Sequence, residues 1–331
     1  VLFDNTGKAL FTIEKRKVYG QPSEGMICAE DEIGIGTSHD GILVLDTTLP
    51  NGTPAAEYFQ IDSDLVLEIG LTPNRADAAS HWGVARDIKA VSGIEVKLPD
   101  ISGFKVAHNS FPIEVQIKDT GCSRFCGLSI DGVQVGPSPT WLQERLSAIG
   151  LRPINNIVDV TNYICHGLGQ PMHAYDWNQL RGGKLIVEQA KADTKFVTLD
   201  GVERTLSGEE IMICDAEGPI GLAGVMGGAD SSIQDSTTRI FLEVAYFKPE
   251  RIRKAAQIHS LKTDASFRFE RGTDIDAKAF AIQYAALLIQ EVAGGQLSSD
   301  LIDVYLDTPV FADINMTYAR IKQLIGIEIG A

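Results

Sequence analysis

The segment "RIFLEVAYF", residues 239–247, constrains the fold most strongly, because it alternates as a strand does and is apolar on both faces. The exception is the carboxylate of Glu243, which shares its face with Phe241, Ala245 and Phe247. A carboxylate among aromatic rings is largely removed from water, and burying it without a partner costs several kcal/mol. The pattern therefore predicts a partner for Glu243: a basic side chain, backbone donors or a ligand hydroxyl. An internal salt bridge with a nearby arginine is the structural alternative to a ligand site.

Strands and helices segregate along the chain without a regular βαβ alternation, which predicts a multidomain α+β fold. Helices are indicated in "SHWGVARDIKAVSG", capped by Gly93, and in "PSPTWLQERLSAIG", with Ser138 as N-cap and Pro139 as first helical residue. Two further helices are indicated in "PERIRKAAQIHS" and "DIDAKAFAIQYAALLIQEVAGG". The second of these would present one side made of Phe280, Tyr284, Leu287 and Leu288. The apolar runs "LVLEIGLT" and "NNIVDV" are typical of strands.

The length of 331 residues suggests two or more domains. Short strands with glycines at their joints, "ALFTIEKRKVYG", "SEGMICAEDEIGIG" and "GILVL", make residues 1–57 suit part of a small β-barrel. A distinct segment follows at 58–98, then a looser linker at 99–112, the main body at 113–296 and the start of another domain at 297–331. We therefore expect truncated domains at both ends of the chain.

Charge and cysteine usage restrict the partners and the compartment. A formal net charge of -15 argues against nucleic-acid binding by bulk charge. The densest basic stretch holds Lys8, Lys15, Arg16 and Lys17, and a solvated strand edge explains it equally well. Five scattered cysteines, an odd number, predict free thiols in a reducing compartment, the cytoplasm, and no structural zinc site. No run approaches the ~18 apolar residues of a membrane span.

Motifs for nucleotide, zinc or serine chemistry are missing: there is no Walker P-loop, paired-histidine helix or GxSxG elbow, and "GLAGVMGG" lacks dinucleotide spacing. A polar cluster of Asp159, Thr161 and Asn162 leads into the turn before His173, and it is either a satisfied structural network or a ligand site. The glycine-rich segment would let the backbone approach a ligand or pack tightly on a sheet. Taken alone, His173 is more typical of a packed ring than of a base.

Several long motifs, in this order and at this spacing, resemble the β subunit family of bacterial phenylalanyl-tRNA synthetases: "LTPNRAD", "NNIVDVTNYICHGLGQPMHAYD", "GLAGVMGG", "LEVAYFKP" and "LKTDASFRFERGTD". The resemblance covers nearly the whole chain. It implies that residues 1–57 are part of a tRNA-binding OB-fold, 58–98 an adaptor, 113–296 an editing domain and 297–331 the start of a further domain.

The resemblance also implies a function for the whole enzyme. It implies a cytoplasmic α2β2 ligase whose α subunit, absent here, carries aminoacylation that depends on ATP and Mg. The β subunit would bind tRNA(Phe), and this segment would hydrolyse Tyr-tRNA(Phe) without a cofactor or metal of its own.

An editing pocket is assigned by the same resemblance. Catalytic positions fall on His173, Asn162 and Thr161, and positions that hold the tyrosine or tyrosyl ester fall on Glu243, Ala223, Gly224, Val225, Thr263 and Ala265. In this assignment Glu243 accepts a hydrogen bond from the tyrosine hydroxyl at one end of the pocket. At the other end, His173 and Asn162 orient the ester carbonyl or the attacking water, and no covalent nucleophile is expected.

Two other functions fit the same residues. The region could be a non-catalytic tRNA-binding or subunit-assembly module of the same complex, or a freestanding hydrolase of mischarged tRNA. The truncated domains expected at both ends argue against the freestanding enzyme.

Overall fold

The computed structural model describes residues 2–3, 9–36, 38–59, 65–307 and 313–330. The chain divides into two compact units, Val1–Leu65 and Val66–Ala331. Lys8 of the basic stretch lies outside the described residues. So do parts of two predicted domains, 60–64 of the adaptor and 308–312 of the last domain.

The first unit contains only short elements among its described residues. Two antiparallel pairs form, β1 (Leu2–Phe3) with β2 (Ala9–Phe11) and β3 (Arg16–Val18) with β4 (Gln21–Ser23), and α1 (Ala55–Tyr58) is a single turn. The strands predicted in "SEGMICAEDEIGIG" beyond Ser23 and in "GILVL" are wrong. The Leu43 N–H donates to the Cys28 carbonyl at 2.9 Å, but this bond between the two segments does not extend into a ladder. The described part of this unit shows no closed barrel.

The second unit carries two five-stranded sheets and seven described α-helices. Its strands are β5 (Glu114–Ile117), β6 (Cys122–Asp131), β7 (His173–Asp176), β8 (Lys184–Gln189), β9 (Lys195–Val197), β10 (Glu203–Thr205), β11 (Ile211–Cys214), β12 (Pro219–Leu222), β13 (Met226–Gly227), β14 (Arg239–Phe247), β15 (Gln296–Leu297) and β16 (Ile302–Tyr305). Its helices are α2 (His81–Ser92), α3 (Thr140–Ala148), α4 (Asn156–Leu168), α5 (Pro249–Ile258), α6 (Asp264–Phe269), α7 (Lys278–Ala293) and α8 (Tyr318–Ile325). The predicted α+β class is confirmed.

The two sheets pack on each other, and helices cover the outer face of the second. The first has the order β13-β12-β11-β8-β5, with only β5 and β8 parallel among its described pairs; the second has the order β15-β6-β14-β7, with β16 also paired to β6. One core fills the space between the sheets and contains Phe241, Ala245 and Phe247. The other lies between the second sheet and α3, α4 and α7. The prediction that β14 is apolar on both faces is confirmed, since each face of the strand lies in one core.

A glycine on β6 makes room for the Phe241 ring at the position of Glu243. Gly127 is the β6 residue paired with Glu243, and a Cβ atom there would lie 2.4 Å from Cζ of the Phe241 ring. A larger residue would have to displace a fully buried aromatic ring, which is costly in a close-packed core.

The segment "NNIVDV" begins helix α4, so the strand reading was wrong. Asn155 caps the helix, its Oδ1 accepting hydrogen bonds from the backbone N–H groups of Ile157 and Val158. Ile157, Val160 and Ile164 recur at helical spacing and are fully buried. Burial of this helical face outweighs the strand propensity of the β-branched residues.

Other local predictions need correction. Helix α3 begins at Thr140 with Pro139 as N-cap, because the Ser138 hydroxyl donates to Asp159 Oδ2 at 2.6 Å instead of capping the helix. Residues 65–72 form no strand, since no described strand pairs with them. The α2 helix and its left-handed Gly93 cap are confirmed.

The core-facing side of α7 differs from the predicted one. Phe280, Tyr284 and Leu287 remain partly exposed and only Leu288 is buried as predicted, because small residues let the helix approach its neighbours closely. The buried residues of the helix are Lys278, Ala281, Ile282, Ala285, Ala286, Leu288, Ile289 and Ala293. Among the described helices, none combines the length and apolar character that a bilayer crossing requires.

Candidate functional site

A cavity of about 480 Å³ opens between the start of α4, strand β7, the β12–β13 hairpin, strand β14 and α6. The second sheet contributes His173, Tyr175 and Glu243 to its wall, while α4 contributes Thr161 and Asn162. Of the predicted site residues, all except Thr263 line it: Thr161, Asn162, His173, Ala223, Gly224, Val225, Glu243 and Ala265.

Glu243 lies on β14 at the cavity wall and is 6% exposed. Its partner is the Tyr175 hydroxyl, which donates to Glu243 Oε2 at 2.6 Å. The alternative of a salt bridge with arginine is wrong for the described residues, in which no cation pairs with this carboxylate. Burial raises the pKa of Glu243 to about 7, and the hydrogen bond from Tyr175 opposes that rise. The carboxyl group can therefore exchange a proton near neutral pH.

His173 opens strand β7 at the edge of the second sheet and faces Glu243 directly in the strand register. Burial lowers the pKa of its imidazole to about 4. Its Nε2 is buried and has no hydrogen-bond partner among the described residues. A neutral imidazole carries one donor and one acceptor nitrogen, so His173 can orient a polar group in the cavity.

The strand register relates two of the predicted pocket residues directly. Glu243 on β14 and His173 on β7 occupy paired backbone positions, and the end of a bound ester that each would face stays a prediction. Their side chains diverge: the carboxyl reaches the Tyr175 hydroxyl, while the His173 ring lies against Gly227. The Glu243 carboxyl and the His173 ring therefore line neighbouring parts of the cavity wall.

Asp159 and Thr161, the first two members of the polar cluster, make hydrogen bonds to neighbouring residues. Asp159 is fully buried and accepts hydrogen bonds from the Ser138 hydroxyl and the Ile154 backbone N–H, so its role is structural. The Thr161 hydroxyl donates to the Val158 carbonyl at 2.7 Å, which leaves its oxygen only as an acceptor toward the cavity.

Asn162 differs from these two. Its side chain lines the cavity and makes no hydrogen bond with the described residues. Its amide is available to a polar group in the cavity.

The glycine-rich segment "GLAGVMGG" forms the cavity wall opposite the second sheet. Gly224 has a left-handed φ of 66°, and a Cβ there would lie 3.0 Å from Ile252 and 3.1 Å from Phe247 and Phe269. A Cβ on Gly227 would lie 2.7 Å from Cε1 of His173. Close backbone approach is therefore required at both positions.

Thr263 acts on the cavity through its neighbours. It caps α6, accepting from the Ser266 backbone N–H, and its hydroxyl donates to the Val225 carbonyl at 2.9 Å. Thr263 thus fixes Val225 and the start of the helix that carries Ala265.

Tyr175 lines the cavity and was not among the predicted site residues. The signal was present in "HAYD", because strand alternation puts His173 and Tyr175 on one face. No group of His, Cys, Asp and Glu suited to a metal ion occurs in the part of the chain that the structure describes.

Comparison with known families identifies the domain. The family model described as "B3/4 domain" matches residues 121–294, more than half of the chain. The chain belongs to the B3/4 domain family. Every residue that lines the cavity lies within the B3/4 domain.

Curated relatives extend the similarity beyond the B3/4 domain. A phenylalanine-tRNA ligase beta subunit from Bacteroides fragilis (strain YCH46) is 48% identical over 331 residues, covering 98% of this chain and 40% of that protein. The beta subunit from Salinibacter ruber is 44% identical over 327 residues, covering 96% of this chain and 39% of that protein. The resemblance to synthetase β subunits is confirmed, and the chain spans about two fifths of the length of these relatives.

A solved structure is also similar. It is an N-terminal fragment of the phenylalanyl-tRNA synthetase beta subunit from Pyrococcus horikoshii, with a TM-score of 0.40 and 16% identity over 78% of this chain and 71% of that chain. That similarity is too low to inform the geometry of the B3/4 domain.

Proposed function

We propose that this chain is part of the β subunit of a phenylalanine-tRNA ligase and that its B3/4 domain hydrolyses tyrosine wrongly esterified to tRNA(Phe). The observation that carries the proposal is the buried carboxyl of Glu243, which faces a cavity walled mainly by glycine, aliphatic and aromatic residues. Such a group binds a ligand that brings a hydroxyl into an apolar pocket more tightly than a ligand that lacks one.

The selectivity follows from the chemistry of the two amino acids. Tyrosine and phenylalanine differ by one hydroxyl, and a site built to hydrogen-bond a hydroxyl rejects the analogue that lacks it. A phenylalanyl ring beside Glu243 would leave a carboxyl oxygen without water or a donor, which costs about 1–3 kcal/mol or more for a charged group. Ala223, Gly224 and Ala265 leave room for the ring itself.

His173 and Asn162 are assigned to the ester. Because the pKa of His173 is lowered to about 4, the imidazole is neutral near pH 7 and is a poor base for activating water. Its proposed task is to orient the ester carbonyl or the attacking water, with the Asn162 amide as a second hydrogen-bonding group. Water is the nucleophile in this scheme, and no covalent intermediate forms.

The rest of the enzyme is part of the same proposal. The whole complex would be a cytoplasmic α2β2 ligase, with ATP- and Mg-dependent aminoacylation on the α subunit. The net charge of -15 on this chain makes it a poor RNA-binding surface by itself, so affinity for tRNA(Phe) would come mainly from the remaining parts.

Deacylation of Tyr-tRNA(Phe) and Phe-tRNA(Phe) by the assembled enzyme tests the proposal. Glu243→Ala should lower the preference for the tyrosyl ester, measured as the ratio of kcat/KM values, on the order of 10- to 100-fold, because a hydrogen bond to a charged group is lost. His173→Ala should slow both substrates by a similar factor and leave their ratio little changed. Glu114→Ala, at an exposed position on β5, is the control and should match the wild type.

Two outcomes would contradict the proposal. One is a wild-type enzyme that hydrolyses neither ester, which would favour the non-catalytic tRNA-binding or assembly module. The other is an unchanged ratio in a folded Glu243→Ala enzyme, which would remove Glu243 from substrate selection.

A further inference from the structure

Tyr175 holds one oxygen of the Glu243 carboxyl inside the cavity wall. Its hydroxyl donates to Oε2 at 2.6 Å, and the two residues are only 2% and 6% exposed. The distance is in the range of hydrogen bonds between a hydroxyl and an ionised carboxylate, about 2.5–2.7 Å. Among the described residues, this hydroxyl is the only group that hydrogen-bonds to the Glu243 side chain.

The strand register fixes this arrangement. Tyr175 pairs with Phe241 and His173 pairs with Glu243, so Tyr175 is the diagonal neighbour of Glu243 on the same face of the sheet. The Tyr175 ring also packs edge-on against the His173 ring, with centroids 4.5 Å apart. The pairing of β7 with β14 and the contact with the His173 ring together fix the Tyr175 ring, and with it the hydroxyl.

We propose that Tyr175 is the positioning residue of the specificity site: by fixing Oε2 of Glu243, it leaves Oε1 as the acceptor for the phenol of a tyrosyl ester. The inference rests on the proposed editing function and deepens it. Tyr175 itself makes no contribution to bond cleavage.

The hydrogen bond from Tyr175 affects selectivity because it favours the ionised form of Glu243. Burial raises the pKa of Glu243, and the Tyr175 donor is the influence that lowers it. An ionised carboxylate left unpaired by a phenylalanyl ring carries a larger desolvation cost than a neutral carboxyl does. Removing the donor therefore weakens discrimination against phenylalanine at neutral pH.

Three titratable groups close to the pair are uncharged near pH 7. They are His173 on β7, Cys122 on β6 and Cys214 on β11. Burial lowers the pKa of the imidazole and raises the pKa of both thiols. Lys278 on α7 is also buried and its pKa is lowered to about 7, so a shift in the pH profile is assigned to Glu243 by its disappearance in the Glu243→Gln background.

The test uses Tyr175→Phe in the full-length β subunit assembled with its α subunit. The ratio of kcat/KM values for Tyr-tRNA(Phe) and Phe-tRNA(Phe) should fall by about 10-fold, as expected for the loss of one hydrogen bond to a charged group. The midpoint of the pH profile for Tyr-tRNA(Phe) hydrolysis should move to higher pH, because the pKa of Glu243 rises without its donor. Tyr246→Phe is the matched control, since it removes a hydroxyl from the opposite face of β14 and should change neither quantity.

A double variant keeps the test independent of folding defects. Glutamine at position 243 does not ionise, so Tyr175 has no carboxylate to stabilise in the Glu243→Gln variant. Adding Tyr175→Phe to that variant should therefore leave the remaining selectivity nearly unchanged. Equal slowing of both esters by Tyr175→Phe, or an unchanged ratio and pH midpoint, would overturn the inference and leave Tyr175 a packing residue. A higher preference for the tyrosyl ester would also overturn it, since Tyr175 would then compete with the substrate.

Measuring the wild type and Glu243→Ala in the same experiment distinguishes failure of the Tyr175 role from failure of the proposed editing function. If Glu243→Ala loses the preference and Tyr175→Phe keeps it, only the role of Tyr175 fails. If the wild type itself shows no preference, the editing function fails and the inference falls with it.

Discussion

Two opposing influences set the state of Glu243. Removal from water favours the neutral acid, while the Tyr175 hydroxyl favours the carboxylate, and the outcome is a pKa of about 7. The neighbouring His173 is shifted the other way, to about 4, by burial alone. The cavity therefore places a carboxyl that titrates near neutrality beside an imidazole that stays neutral. That combination suits recognition and orientation better than proton abstraction by histidine.

This balance predicts a pH dependence of stability. The pKa of Glu243 is higher in the folded state than its ordinary value of 4.5, so the folded state binds the proton more tightly between pH 4.5 and about 7. The stabilisation from this group is complete below pH 4.5 and is lost as the pH rises through about 7. Relative to Glu243→Gln, which does not titrate, the wild type should lose on the order of 2–3 kcal/mol of unfolding free energy over that window. Urea unfolding at several pH values measures the difference, and parallel curves for the two proteins would contradict it.

Single residues were predictable where their own strand or helix revealed them. Glu243 could be found because strand alternation isolates one carboxylate on an apolar face. The Tyr175–Glu243 bond could not, since it depends on how β7 and β14 pair across 68 residues of chain. Thr263 was predicted to hold the substrate, and the structure instead places it behind the cavity wall, hydrogen-bonded to Val225.

At the scale of elements, helix α4 determines where Asn162 and Thr161 face the cavity. Its start is anchored by Asn156, which is 3% exposed and donates from Nδ2 to the Gln134 and Val292 carbonyls. Its Oδ1 accepts from the Gly136 backbone N–H. These bonds connect the helix to the end of α7 and to the loop before α3.

Asn156→Ala should therefore be strongly destabilising. It removes the side-chain partner of three backbone groups, and the expected loss is roughly 3 kcal/mol of unfolding free energy. The adjacent Asn155→Ala is the matched control, since removal of an N-cap costs about 1 kcal/mol. Chemical denaturation of both variants measures the difference, and equal losses would show that the anchoring bonds of Asn156 contribute nothing beyond a cap.

Elements were predictable where local pattern and final environment agree. The segments of α2, α5 and α7 carry their own periodicity or caps, and the structure has helices there. The start of α4 was misread because Ile157, Val158 and Val160 favour strands intrinsically, while tertiary burial of one helical face decides the outcome. The segment 65–72 was misread because an apolar run forms a strand only with a pairing neighbour.

At the scale of the molecule, β14 is the wall shared by two cores. One face packs toward the first sheet and the cavity, and the other packs against α3, α4 and α7. The α+β class followed from the segregation of strands and helices along the chain. The stacking of two sheets did not, because pairings such as β5 with β8 and β6 with β14 join distant segments.

The most direct test of Glu243 as the selecting group is a pair of crystal structures of the protein, one soaked with L-tyrosine and one with L-phenylalanine at the same concentration. We expect tyrosine in the B3/4 cavity with its phenol oxygen about 2.5–3.0 Å from Glu243 Oε1, and no ordered phenylalanine there. Equal occupancy by both amino acids, or tyrosine bound with its hydroxyl away from Glu243, would contradict the claim that this carboxyl selects the tyrosyl ester.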